Sequence, residues 1–190
     1  MASEVDIANR ALQKIGAKRI VSLTEDTVNG RAVNLAYEIL RDAELRAHTW
    51  NFSIERASLA ADSSTPDWGR SNSFTLPSDF LRLLPPYPED NSNQTDWQIE
   101  GRKILTNDSA PLYIRYVKIV TDPNDMDALF REALSARIAA EICEELTQSN
   151  SKKTEMKDDY KLAIREARRV NAIENVSAET PEDTWISERQ

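Results

Sequence analysis

Chemistry at neutral pH is built from a few side-chain types, and this chain has few of them in useful places. It has one histidine, His48, and one cysteine, Cys143. A cysteine nucleophile needs an adjacent base or another means of forming the thiolate, and nothing in the sequence brings His48 to Cys143. Cys143 follows Ile142 in a helical pattern and reads as a small buried hydrophobe. As the only cysteine, it can form no intramolecular disulfide. A Ser-His-Asp triad would also have to use His48. That residue lies beside Thr49 near a helix end, where it reads as partly exposed and interacting with the helix dipole. The four glycines (Gly16, Gly30, Gly69 and Gly101) are too scattered to form a phosphate loop. The sequence contains neither a CxxC pair nor an HExxH motif.

Carboxylates are abundant, so some pair will fall at glycosidase spacing by chance. Glu144 with Glu145, and Asp158 with Asp159, read instead as solvated helix faces. The sequence therefore predicts no catalytic residue, no cofactor and no metal, and a protein that is not an enzyme. A glycan hydrolase using an unidentified carboxylate pair is kept as an alternative.

The net charge is −8 over 190 residues. Binding to phosphate backbones is driven by Lys and Arg displacing counterions, so an acidic chain is a poor DNA binder, although a negative surface suits a channel through which DNA slides. One segment runs against the overall charge. In the last predicted helix Lys152, Lys153, Lys157, Lys161, Arg165, Arg168 and Arg169 outnumber Glu155, Asp158, Asp159 and Glu166. This face reads either as a DNA contact or, preferably, as a basic face that pairs with an acidic neighbouring subunit. A DNA-binding protein is thus the other alternative. No apolar run is long enough to span a membrane. The acidic start MASEVDIANR has no signal-peptide core, so the chain is expected to be soluble and to stay where it is made.

The elements that must position these residues follow from periodicity. Ser3 and Asp6 form a capping box, Ile7, Ala8, Ala11, Leu12 and Ile15 recur at helical spacing, and Gly16 ends the helix. A second helix is predicted from about Gly30 to Ala47. Val33, Ala36, Tyr37, Leu40, Ala43 and Ala47 line one stripe, and Arg41, Asp42, Glu44 and Arg46 are expected in solvent. Strand-like alternation covers Trp50 to Leu59, with Trp50, Phe52 and Ile54 on one face. Phe74 to Pro77 is extended, and Asp79 to Leu84 is read as a strand. Loops span Ala61 to Asn72 and Pro85 to Thr95. Trp97 to Thr106 alternates about Gly101-Arg102, which predicts a type II′ hairpin, and Leu112 to Val120 alternates as a strand.

Asp122-Pro123 signals a third helix start, with Asp122 or Asn124 as the cap. A broad apolar stripe then runs from Leu129 to Ser149, with alanines that allow close helix approach. A short break leads to a fourth helix, about Lys152 to Val176, which implies an antiparallel pair. The result is an α+β chain. A four-helix bundle (1–49 and 121–176) carries an inserted, mostly antiparallel β lobe (50–120) and an extended tail (177–190) containing Trp185-Ile186.

This ordered set resembles the head-to-tail adaptor, or tail tubular protein A, family of short-tailed bacteriophages. The resemblance is carried by Trp50-Asn51-Phe52, Leu76 to Arg82 (LPSDFLR), Trp97 to Asn107 (WQIEGRKILTN), Leu112 to Pro123 (LYIRYVKIVTDP) and Leu129 to Ser149, and covers about Ser3 to Val176. No single motif is diagnostic. The two loops and the tail match only loosely. The resemblance implies a structural virion protein, made in the host cytoplasm and carried in the tail. Twelve copies would form a ring between the portal and the tail nozzle, and genome DNA would pass through without specific binding. On that basis Trp185, Ile186, Arg165 and Arg169 are expected at the portal, and Trp68 and Tyr87 at the nozzle.

Overall fold

A computed structural model describes residues 1–85 and 96–174 of the chain. Four helices frame it: α1 (Glu4–Ile15), α2 (Val28–Ala47), α3 (Ala128–Thr147) and α4 (Asn150–Ile173). Between α2 and α3 lie six strands: β1 (Ile54–Leu59), β2 (Asn72–Thr75), β3 (Phe80–Leu84), β4 (Trp97–Glu100), β5 (Lys103–Thr106) and β6 (Leu112–Lys118). The fold is α+β, with the β lobe inserted between two helical pairs, as the sequence predicts.

The local signals explain most of the element ends. The Ser3 hydroxyl accepts from the Asp6 N–H at 3.1 Å and the Asp6 carboxylate accepts from the Ser3 N–H at 2.9 Å, which is the predicted capping box. Those hydrogen bonds hold the Asp6 carboxyl below its ordinary pKa. Gly16 closes α1 in the left-handed region at φ 72°. The α2 cap is Thr27, whose hydroxyl accepts from the Gly30 N–H. A side chain at Gly30 would place its Cβ 2.4 Å from the Glu25 carbonyl oxygen, so only glycine fits there. In the β4–β5 hairpin Gly101 has φ 58° while Arg102 keeps a negative φ, the geometry of the predicted type II′ turn.

The lobe is two three-stranded antiparallel sheets rather than one, with strand orders β1-β6-β3 and β2-β5-β4. They share one core. Phe74 and Ile104 from the second sheet pack with Leu83, Leu112, Ile114 and Tyr116 from the first, and Leu76 joins them from the segment after β2. The alternation read in β6 holds on its inner face, where Leu112, Ile114 and Tyr116 are buried and Tyr113 is exposed.

The helices have a separate core centred on α3, which packs against α1, α2 and α4. Ala133, Leu134, Ser135 and Ala136 are four consecutive residues and all are buried. At 100° per residue they span the whole helix circumference. The small side chains at three of those positions let the neighbouring helices approach from several sides. The arrangement is therefore a hub with three partners. α1 and α2 make little contact with each other.

Four expectations are corrected. Trp50 and Phe52 are not strand residues: Asn51–Ser53 is a 3-10 turn, and Trp50 is fully buried in the helical core. Trp50 meets the Phe130 ring edge-on and stacks on Phe52. The α3 cap is Asp127, whose carboxylate accepts from the Leu129 and Phe130 N–H groups. Asp122 instead closes a turn by accepting from the Asn124 N–H. Arg41 and Glu44 are buried while Ala43 and Ala47 of the expected stripe are exposed, because α2 is covered on a different side near its C-terminus. The boundary at residue 120 also shifts, since Val120 packs in the helical core.

Phe130 is fully buried, with its ring centroid 5.0 Å from Trp50 and 5.1 Å from Phe52. Replacing it by alanine is expected to cost about 3–5 kcal/mol through lost transfer energy and a residual cavity. Urea unfolding followed by tryptophan fluorescence would measure the loss.

Candidate interaction surfaces

A network of polar contacts ties helices and lobe together at a seam around Trp50, Asn51 and Asn171. Trp50 donates from its indole N–H to the Glu44 carbonyl at 3.0 Å and meets His48 edge-on at 4.7 Å. Asn171 of α4 uses both ends of its amide across this seam. Its Oδ1 accepts from the Asn51 N–H at 2.9 Å, and its Nδ2 donates to the Thr49 carbonyl at 3.0 Å. The Asn51 side chain donates in return to the Asn171 carbonyl. On the lobe side the Arg82 guanidinium donates to the Thr49 hydroxyl, and the Arg46 guanidinium donates to the Leu81 carbonyl. The end of α4, the end of α2 and strand β3 are thus tied through a few residues.

His48 is half-buried at this seam, and its Nε2 faces the Asn171 amide nitrogen at 3.4 Å. Burial, followed by the charges of Arg168 and Arg82, lowers its pKa from the ordinary value. The helix-dipole reading is therefore outweighed by desolvation and two nearby cations. Cys143 is fully buried, with its sulfur 3.6 Å from the Thr147 hydroxyl. No contact between Cys143 and His48 is found among the described residues.

A second polar cluster was missed in the sequence. Glu44 is 6% exposed, accepts from the Tyr160 hydroxyl at 2.6 Å, and lies 3.7 Å from the Arg137 guanidinium. Arg137 also stacks 5.1 Å from the Tyr160 ring centroid. Burial and the Glu44 hydrogen bond push the Tyr160 hydroxyl up to about 12. The sequence did contain a signal. Arg137 interrupts the α3 stripe, and its guanidinium, on a side chain 40% exposed, reaches the buried Glu44.

The carboxylate pairs Glu144–Glu145 and Asp158–Asp159 lie on exposed helix faces. Glu144 pairs with Lys153, and Asp158 with Lys161 one turn away. Glu145 is exposed. No group of three or more metal-ligating side chains occurs among the described residues. No helix among them is long and apolar enough to cross a membrane.

Of the predicted partner residues, Arg165 and Arg169 are exposed on α4. Trp68 is 88% exposed in the loop before β2. It borders a cleft of about 400 Å³ whose other side is the β4–β5 hairpin, with Gln98, Glu100 and Lys103. Beneath this cleft Asp62 accepts from Lys103, Ser73 and Thr75, which hold its carboxyl down to about 2. Tyr87, Trp185 and Ile186 lie outside the described residues. The sequence also missed the outer face of α2, where Leu35 and Ile39 are 75% and 71% exposed.

No protein-family model matches the chain, and no curated protein matches it.

The seam yields a pH prediction. A histidine whose folded pKa is depressed favours folding while it is neutral. Its contribution is present above the unfolded pKa, near 6.5, and is lost as pH falls through the lower folded value. Thermal unfolding at pH 7 and pH 5 is expected to show a larger drop in Tm for the wild type than for His48→Gln, the difference being the histidine's share.

Proposed function

We propose that this chain is an assembly protein of a virion tail: a head-to-tail adaptor whose copies, twelve by resemblance, ring the path of the genome between portal and tail nozzle. Catalysis plays no part in this reading. The observation that carries it is the seam. Trp50 is anchored in the helical core, and Asn51 is clasped by Asn171, which ties the end of α4 to the entrance of the lobe. A spacer between two partners has to keep its two ends at a fixed separation and angle, and this clasp serves that requirement.

The charge supports the same reading. At −8 overall, the chain offers DNA little to adhere to, so a genome could pass without being held. The two ends also differ in chemistry. The lobe presents the exposed Trp68 beside its cleft, and large aromatics dominate interface energetics. We assign Trp68 and Tyr87 to the nozzle, and Trp185 and Ile186 of the tail to the portal.

The test is negative-stain microscopy of the purified chain alone and after mixing with its portal. Rings of about twelve copies are expected, at least in the mixture, seated on the portal. Monomers or dimers that ignore the portal would overturn the reading. Trp185→Ala is expected to weaken portal attachment by about tenfold or more, as for an aromatic anchor, without unfolding the chain.

A further inference from the structure

Two helix faces point away from the core, and they complement each other. On α2, Val28, Leu35 and Ile39 line one side and are 58%, 75% and 71% exposed. Leu35 and Ile39 form one wall of a groove that Ile142, Glu141 and Glu145 of α3 complete. Glu141 and Glu145 stand one turn apart, both exposed, and neither has an ion-pair partner among the described residues.

On α4, Leu162 and Ile173 are 57% and 69% exposed on the side opposite Met156 and Ile164. Arg165, Glu166 and Arg169 lie between them on that side, with a net charge of one positive. Arg165 has no ion-pair partner among the described residues, and Arg169 has only Glu166 at 3.9 Å, both groups largely in solvent. A pair this exposed contributes little.

The two stripes also match in length. Val28 and Ile39 are eleven residues apart, and so are Leu162 and Ile173. In each helix that is three turns, about 16 Å. One face therefore offers apolar residues with two acids at its rim, and the other offers apolar ends with two arginines and one weakly paired glutamate between them.

We propose that the outer face of α4 of one copy seats in the α2–α3 groove of the next, with Arg165 and Arg169 against Glu141 and Glu145. The two faces are different, so the contact is head-to-tail and propagates until its rotation closes a ring. This inference rests on the ring reading and names its lateral contact. It assigns Arg165 and Arg169 to the neighbouring copy instead of the portal. The chain's own C-terminal segment is a poorer occupant. Residues 177–190 carry Glu179, Glu182, Asp183 and Glu188 against a single Arg189, and the groove rim is already acidic.

Charge reversal tests the contact, with association followed by sedimentation velocity with and without portal. E141K/E145K and R165E/R169E are each expected to weaken association at least tenfold, because like charges then face each other. The chain carrying all four changes is expected to recover to within a few-fold of wild type. All four side chains are exposed, so thermal unfolding should be nearly unchanged and reports on folding independently. A cysteine pair gives a second readout. Oxidising a chain with both Leu35→Cys and Leu162→Cys should give a ladder of covalent oligomers, and either change alone should give none. Dimers from Leu35→Cys alone would show two-fold pairing of α2 and overturn the proposal. Rings that ignore both charge reversals would overturn this interface while leaving the ring reading standing. A wild-type chain that stays monomeric with and without portal would overturn both.

Discussion

The helical half of the molecule depends on α3 being buried all round between Ala133 and Ala136. A helix normally buries one stripe and leaves the other to water. Here ten of twenty positions are buried, and four of them are consecutive, so no face in that stretch is left for solvent. The price of such a helix is that its neighbours must come close, and Ala133, Ser135, Ala136, Ala139 and Ala140 permit it. Three helices then pack on one instead of on each other. The outer sides of α2 and α4 are consequently not needed for folding. This is why Leu35, Ile39, Leu162 and Ile173 can be exposed without a cost to the core, and why those faces can serve assembly.

The seam follows from the same hub. Trp50 reaches Phe130 at the first turn of α3, so the chain leaving α2 is pinned before it enters the lobe. Asn171 adds what packing alone cannot, a directional clasp on the Asn51 and Thr49 backbone. A neutral His48 completes it. The lobe keeps its own core of Phe74, Ile104, Leu112, Ile114 and Tyr116. The two cores are distinct, and the short 3-10 turn Asn51–Ser53 lies between them.

Much of this was legible in the sequence, because local chemistry fixes local structure. The Ser3–Asp6 capping box, the Gly16 stop and the Gly101-Arg102 turn each depend on residues within a few positions of one another. The order of helices and strands followed from the 3.6- and 2-residue periods. The misreadings share one cause, tertiary contact. Trp50 and Phe52 alternate like a strand, yet a ring surface on α3 drew them into the helical core. Glu44 and Arg41 look solvated by periodicity, until the lobe and α4 cover that end of α2. Asp122 was a good cap by sequence, but Asp127 stands closer to where the apolar contacts of α3 begin. The outer faces of α2 and α4 were only half legible. The basic excess of α4 was plain, whereas the apolar stripe on α2 was hidden by a second, better one at Val33, Tyr37 and Leu40.

Trp50 in the helical core and the Asn171 clasp couple helices and lobe, so the two should unfold as one body. Native-state hydrogen exchange tests it most directly. The account predicts that amides of Leu134 and Ile138 in α3 and of Tyr116 and Val117 in β6 exchange with the same, largest opening free energy, that of global unfolding. Exchange of the β6 amides through a separate, smaller opening while α3 stays closed would contradict it, and would make the lobe an independently hinged unit.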